Sequence, residues 1–431
     1  TAASKRSATA SAKRANCTEV PATASSRRPE ALTSQATASN QTARRTSGYS
    51  HAQVAGQHAA APRGRGQLGY SRRAFGAPAV GEPSAGSSFF PKFPIATAMP
   101  SEPVEVSVLI PFLNEERHLP RTAPRMLGQR FDGTIEFLFV DSGSSDRSRE
   151  IVERLAARDE RVRLLDNPGR TVARALNVGL RAARGRYVAR MDAHTFYPED
   201  YIAEGVRRLE RGDVDWVSGP ALPRGEGKWS RRIALALRTW LGTGGVAYRI
   251  PPEAAEEVEV DSGFTGLWRR DTLVALGGWD KDAVVNEDGE LASRFRARGM
   301  RIVMLRSMAA HYVPRDSLGA LWRQYYRYGQ GRARTASLHG NALRPAHALP
   351  PLVTLALLVA VAGPRPVRTL ARLAVTGWAA ALVATAAASS RHAEPRTDAL
   401  WLPAILATMH VAWGLGFLRG SLRHGPPRIG T

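Results

Sequence analysis

The chain has 431 residues, 43% hydrophobic and 7% aromatic, enough for two or three domains with a sizeable core, and its single cysteine, Cys17, excludes an internal disulfide and a cysteine-based metal site. A net charge of +22 raises nucleic acid or an anionic surface as a partner. The charge sits at the ends, however. Residues 1–98 carry 13 Lys/Arg against 3 Asp/Glu (+10), 99–343 carry 38 against 33 (+5), and 344–431 carry 9 against 2 (+7), which argues against a nucleic-acid role for the folded middle.

Residues 1–98 are rich in Ala, Ser, Thr, Gly and Arg, with few acids and little apolar periodicity, and read as a disordered basic tail. The composition also resembles an organellar transit peptide, though it is long for one. Met99 lies five residues before the first predicted strand, and the preferred expectation is a native start there, with 1–98 a non-native extension.

From residue 104 short apolar runs alternate with helical stretches. "VEVSVLIP" (104–111) predicts a strand, "EERHLPRTAPRMLGQR" a helix, and "TIEFLFVD" (134–141) a strand. "SSDRSREIVERLAARD" predicts a helix opened by a Ser/Asp cap, and "RVRLLDN" a third strand. "TVARALNVGLRAARG" predicts a helix ended by Gly185, and "RYVARMD" (186–192) a fourth strand. The alternation predicts an α/β domain with a mostly parallel, helix-covered sheet, its ligands gathered beyond the carboxyl ends of the strands.

Past about Ala346 come three apolar stretches, near 346–363, 370–388 and 399–418. Each is near the lower limit of the roughly 17–25 residues that cross a bilayer, and Pro350 and Pro351 interrupt the first. A buried helical subdomain is the alternative. Three such stretches with almost no acid favour membrane helices, and Arg beside every stretch leaves the positive-inside rule without a preferred side.

Several motifs fall at strand ends. Asp192 and His194 in "MDAHTFYP" put a carboxylate and an imidazole where both could reach one divalent metal; alone, the pair reads more readily as a surface turn in which Asp caps the next segment. Asp141 in "FVDSGSSD" suits a nucleotide base or ribose, or simply starts a helix. Glu287 and Asp288 in "VVNEDGEL" open a helix, where acids also favour the helix dipole. His311 lies on or after a strand, and "RQYYRYGQGRAR" interleaves aromatics with Arg, as an interfacial helix does. Helix 231–242 has the composition either to lie at an interface or to pack on the sheet.

The order "PFLNEE", "VDSGSSDRS", "ARALNVGLRAARG", "MDAHTFYP", "GLWRRDTLVALGGWD", "NEDGEL", "QYYRY" resembles a family 2 glycosyltransferase of the GT-A fold. "DAH" followed by "YPEDY" is similar to the bacterial succinoglycan-type exopolysaccharide glucosyltransferases. The resemblance covers about 104–340, with hydrophobic C-terminal segments as a shared habit. It implies a GT-A domain over 99–343 with a Rossmann-like mixed sheet, followed by about three transmembrane helices in 344–431.

The resemblance also implies roles. Pro111, Glu115 and Asp141 would hold the nucleotide base and ribose, and Arg174 would lie near the donor. Asp192 and His194 occupy the metal motif, with His311 as a third ligand. Asp288 takes the place of the base, and Gln324, Arg327 and Tyr328 resemble the Gln-x-x-Arg-Trp motif at the donor. His rather than Asp at 194, and Tyr rather than Trp at 328, depart from the usual pattern. Imidazole suits manganese better than magnesium.

The implied activity is inverting transfer of a sugar, glucose, from UDP-glucose to a lipid-linked saccharide or a polysaccharide. The place implied is the cell membrane, multi-pass, with the catalytic domain facing the cytoplasm. Asp288 would act as general base, a divalent cation and Arg327 would take the diphosphate, and the "DSGFTGLW" loop (261–268) would border the acceptor, with Asp261 the next candidate base. A polyprenyl-phosphate sugar synthase is the rival within the class, and a basic nucleic-acid-binding protein the rival outside it. A catalytically dead scaffold is disfavoured by Asp192, Asp288 and Gln324.

Overall fold

The computed structural model describes residues 103–245 and 255–428; the expectations for residues 1–98 lie outside them. In chain order the part before the apolar C-terminal helices holds β1 (Val106–Phe112), α1 (Leu119–Leu127), β2 (Ile135–Asp141), α2 (Ser148–Ala156), β3 (Val162–Asp166), α3 (Val172–Ala182) and β4 (Tyr187–Arg190). It continues with β5 (Thr195–Phe196), α4 (Tyr201–Glu210), β6 (Trp216–Ser218), β7 (Ala221–Pro223), α5 (Lys228–Ala236), α6 (Trp240–Thr243), β8 (Glu257–Glu259) and β9 (Gly266–Arg269). Then come α7 (Arg270–Ala275), α8 (Glu287–Ala297), β10 (Ile302–Leu305), β11 (Ala310–Tyr312) and α9 (Leu318–Leu338). Three further helices follow: α10 (Leu349–Ala362), α11 (Arg365–Ser389) and α12 (Leu402–His424).

Eight strands form one sheet in the order β3-β2-β1-β4-β9-β6-β10-β8. The four expected strands run parallel, whereas β9 is antiparallel to β4 and β6, and β8 to β10. The sheet is therefore mixed: β6 and β10 run with β1 to β4, β10 pairing parallel to β6, and β8 and β9 are the reversed strands. β1 and β2 are buried along their whole length, as strands covered on both faces must be. Alternation along β1 sends Val108 and Ile110 into the layer with Leu119, Met126 and Val152, and Leu109 into the layer with Leu176, Leu291 and Phe295.

Gly185 does not end α3. The helix stops at Ala182 and Ala183 is extended; the Gly185 N–H donates to Ser107 Oγ at 2.8 Å, and a Cβ there would meet the β1 backbone. Glycine serves a close approach at this point, not a cap.

Helix 231–242 divides into α5 and α6, and α5 faces inward. Ile233, Ala236 and Leu237 pack with Leu402, Ile405, Leu406 and Met409. Arg231 and Arg232 hold buried Asp398 at 3.2 and 2.8 Å, and the Arg232 guanidinium lies over the rings of Trp229 and Trp401. α5 thus packs on α12 and not on the sheet, whereas Trp240 of α6 remains 59% exposed.

α9 lies along α12. A Cβ on Gly329 would collide with the Trp413 carbonyl and one on Gly416 with that of Tyr326, so small residues let the backbones touch. Three segments, Pro345–Ala362, Arg365–His392 and Arg396–His424, are helical, long and apolar enough to cross a membrane. The apolar side chains of Leu352, Leu358, Leu370 and Leu373 are exposed.

Candidate active site

The loops at the carboxyl ends of β1 and β2 are bonded to each other. Asp141 accepts from the N–H groups of Gly143 and Ser144 at 3.1 and 2.9 Å, the turn chemistry of a buried Asp before a helix. Asn114, at φ +57, accepts from Ser145 N at 2.8 Å, and the Glu115 N–H donates to Ser148 Oγ at 2.7 Å. Pro111 lies just past the last β1–β4 pair, Leu109 with Arg190, and pairs with Val140 next to Asp141. Pro111 and Asp141 thus share one sheet edge.

β4 leads into the Asp192-Ala193-His194 turn, pinned from α1 by Thr122 Oγ1 donating to the Ala193 carbonyl at 2.6 Å. The Asp192 N–H donates to Tyr197 Oη at 2.8 Å. Asp192 and His194 open on a cavity of about 560 Å³ that also receives Arg190, Glu287, Asp288, Gln324 and Arg327. These residues come from three separate stretches of chain.

Arg190 joins them. It is 6% exposed; its Nε donates to Asp192 Oδ1 at 2.8 Å and its Nη1 reaches Glu287 Oε1 at 3.0 Å. Burial alone would lower its pKa, but Asp192 and Glu287 outweigh that and raise it. At the start of α8, Asn286 is left-handed at φ +65 and donates to Thr335 Oγ1 of α9 at 2.8 Å. α9 is thereby docked over the α8 start, with Gln324 donating to Tyr328 Oη at 2.9 Å. Burial, and then the charge of Glu287, push Asp288 up to about 6, while its Oδ1 accepts from the Gly289 N–H at 2.7 Å. That is the range a general base needs.

Three expected residues stand elsewhere or do something else. Glu115 holds histidines: its carboxylate takes His194 Nδ1 at 3.0 Å and His118 Nδ1 at 2.7 Å. Burial raises its pKa, but these two bonds outweigh it and bring it down to about 2. Arg174 lines a separate cavity beside α3 and donates to the Lys281 carbonyl at 3.1 Å, away from Asp192. His311 is exposed on β11 and is not among the residues lining the Asp192 cavity. Its neighbour Tyr312 packs beside Phe264, which does line it, and alternation along a strand sends His311 to the other side. Among the described residues no group of three or more His, Cys, Asp or Glu is placed to hold a metal. Asp261 is paired with Arg344, in a small cavity that also touches Asp288.

Sequence reasoning missed Arg190, Arg315, Arg323 and Arg332 on the cavity wall. Arg190 was open to detection: it is two residues before Asp192 on a strand, hence on the same face.

The family model described as glycosyl transferase family 2 matches residues 107–269. The chain is 33% identical over 322 residues, 72% of its own length and 93% of the relative's, to the succinoglycan biosynthesis protein ExoA of Rhizobium meliloti (strain 1021). It is 25% identical over 229 residues, 52% of its length and 54% of the relative's, to a poly-beta-1,6-N-acetyl-D-glucosamine synthase of Staphylococcus aureus (strain COL). Among solved structures, the mannosyltransferase PcManGT from Pyrobaculum calidifontis in complex with GDP-Man and Mn2+ is similar at a TM-score of 0.47 and 22% identity, over 75% of this chain and 88% of its own.

Proposed function

Because the chain belongs to glycosyl transferase family 2, we propose that it is an inverting enzyme of exopolysaccharide synthesis that moves glucose from UDP-glucose to a lipid-linked saccharide or a polysaccharide. It has the GT-A mixed sheet and three apolar C-terminal helices of membrane-crossing length. The observation that carries the reading is the convergence of Asp192, His194, Asp288, Gln324 and Arg327 on one cavity. The proposal includes a multi-pass membrane protein with its catalytic part, 99–343, facing the cytoplasm, and residues 1–98 dispensable for transfer.

Asp288 would accept the proton of the acceptor hydroxyl through Oδ2, its Oδ1 being engaged by the Gly289 N–H. General-base help of this kind contributes roughly 10²–10⁴-fold. Transfer directly to a polyprenyl phosphate has less need of a base, so the raised pKa of Asp288 favours a hydroxyl acceptor. Arg327, together with Arg323 on the same wall, would face the diphosphate.

The donor set fits a divalent cation. Glu115 takes His194 by Nδ1 and leaves Nε2 for coordination, the arrangement in which a carboxylate orients a metal-bound imidazole. Asp192 supplies a carboxylate on the same cavity, and donor phosphate oxygens would complete the shell. Such a cation, manganese in preference to magnesium, supplies neutralisation of the charge developing on the diphosphate.

The test is a donor screen on membranes carrying the full chain, measuring release of free nucleoside diphosphate with and without manganese. Release from UDP-glucose that needs manganese is expected. Equal release from every donor, or none, overturns the reading.

A further inference from the structure

Of the three segments long and apolar enough to cross a membrane, the last differs from the others in what surrounds it. In the segment that holds α12, 44% of the apolar window is buried inside the protein, against 17% and 11% for those that hold α10 and α11. Leu402, Ile405 and Leu406 of α12 pack with Ile233 and Leu237 of α5 and with Leu321 of α9. Gly416 and Gly420 lie against Tyr326 and Gln330 of α9, and Gly414 against Pro350 and Thr354 of α10. A helix that is apolar all round is buried all round, in protein or in lipid. Much of the cover of α12 is protein.

Both ends of α12 are also fastened to the catalytic part. Just before its first turn, Asp398 is buried and held by Arg231 and Arg232 of α5. Near its last turn, Arg419 Nη1 donates to Tyr326 Oη of α9 at 3.1 Å, and beyond it the Arg428 N–H donates to the Ala336 carbonyl of α9 at 2.8 Å. α9 carries Arg323, Arg327, Arg332 and Arg334, the first three on the wall of the catalytic cavity. With 23 residues, α12 is about 34 Å long, enough to put its ends on opposite faces of a hydrocarbon core of roughly 30 Å. If it did so, α5 and the end of α9 would be drawn to opposite faces, and the α9 arginines would enter hydrocarbon, where charge is costly.

α10 and α11 are under no such constraint along most of their length. They join at Gly363 and Pro364, and Leu352, Leu358, Val361, Leu370, Leu373 and Val383 are exposed on them. Residues 345–364 and 373–390 hold no Asp, Glu, Lys or Arg, which meets the need for roughly 17–25 apolar residues per crossing.

We propose that α12 is a core helix of the catalytic part, backing α9, and that the surface fitted to the hydrocarbon core of a bilayer is the α10–α11 hairpin. Both ends of α12 then lie on the side of the membrane that holds the active site. This rests on the membrane reading above and reduces three candidate crossings to two. It also gives α12 a task in the site: as the back wall of α9, it fixes Gln324 and Arg327 on the water side of the interface.

The experiment labels single cysteines of the full chain in sealed membrane vesicles with a membrane-impermeant maleimide. Cys17→Ser supplies the background. Ala404→Cys and Leu422→Cys, at exposed positions near the two ends of α12, are compared with Glu160→Cys, exposed on the catalytic part, and with Gly377→Cys on α11, where a side chain meets open space. The reagent attacks a thiolate, which an apolar environment suppresses. Ala404→Cys and Leu422→Cys should react in the same vesicle orientation as Glu160→Cys and at rates within about twofold of it, and Gly377→Cys about tenfold more slowly or less. Leu400→Cys and Arg423→Cys replace the first two should either fail to fold. Labelling of the two α12 positions from opposite faces, or shielding of either one to the level of Gly377→Cys, would overturn the proposal. Full reactivity of Gly377→Cys would overturn its assignment of the hairpin. Labelling does not depend on turnover, so a chain that releases no nucleoside diphosphate loses the glycosyl-transfer reading and leaves the position of α12 decided.

Discussion

Arg190 and Asp192 stand two residues apart with 2.8 Å between Nε and Oδ1, while the far edge of the same guanidinium reaches Glu287 at 3.0 Å. One buried cation therefore ties the Asp192-Ala193-His194 turn after β4 to the first residue of α8, next to Asp288. Removing it leaves two buried carboxylates without a counter-charge, which costs about 3–5 kcal/mol for a broken buried pair. Arg190→Met should lower the melting temperature steeply. Arg190→Lys keeps the charge but cannot span both partners, so it should retain more stability than Met and still lose turnover. Thermal melts and donor-release rates decide it, and a Met variant as stable as the parent would contradict this role.

Asp288→Asn separates a base from a favourable helix-start charge. Burial holds the folded pKa near 6, above the ordinary aspartate value of 3.8. The ionised form thus costs stability in full above about pH 6, and the cost fades as pH falls from 6 towards 3.8, below which it is gone. Asn should therefore raise the melting temperature at pH 8 and lose that advantage near pH 4. A simple dipole role predicts instead a loss of about 0.3–1 kcal/mol. Transfer should fall by roughly two to four orders of magnitude with donor affinity unchanged. In the parent, turnover should decline as pH drops through about 6. Retention of most of the parent rate by the Asn variant would send the search for the base elsewhere.

Glu115→Gln tests the orienting carboxylate. Losing such a partner typically costs about 10–100-fold in metal affinity, readable by spin resonance of added manganese in the presence of UDP. His194→Ala should weaken manganese binding further, and His194→Asp should move the preference towards magnesium. If Glu115→Gln binds manganese like the parent but loses donor affinity, Glu115 acts on the nucleotide and not through His194.

Gly416→Leu should separate α9 from α12, since even a Cβ collides with the Tyr326 carbonyl. Overpacking costs about 1–3 kcal/mol, and because α9 carries Gln324 and Arg327, activity should fall even where the protein still reaches the membrane. Gly377, with open space around it, is the control position. An active Gly416→Leu variant would show that the helix pair tolerates spreading.

Alkaline carbonate extraction should leave the full chain in the membrane pellet, because α11 is largely uncovered by the rest of the protein. Full recovery in the wash would rule out spanning helices.

The strands β1 to β4 and the strand-end motifs were legible because they rest on short-range rules: apolar runs of strand length, caps, and carboxylates at strand tips. Gly185 was misjudged because a glycine after a helix looks the same whether it caps the helix or makes room for a neighbouring strand. His311 and Arg174 match the expected residue types along the chain, but in the fold neither lines the Asp192 cavity. Only pairing of β11 with β5 and β7 determines which side of the sheet His311 faces. Glu115 changed partners for the same reason, since its histidine lies on a loop 79 residues later.

By itself the sequence determined that this is an α/β chain with acids waiting at strand ends and an apolar C-terminal third region, because periodicity and composition are properties of neighbours along the chain. Tertiary structure alone decided that Asp192, Glu287 and Asp288 share one cavity through Arg190 and that α9 is held along α12 beside it. These depend on contacts between residues far apart in sequence, where burial and charge pairing are set by packing that no local pattern encodes.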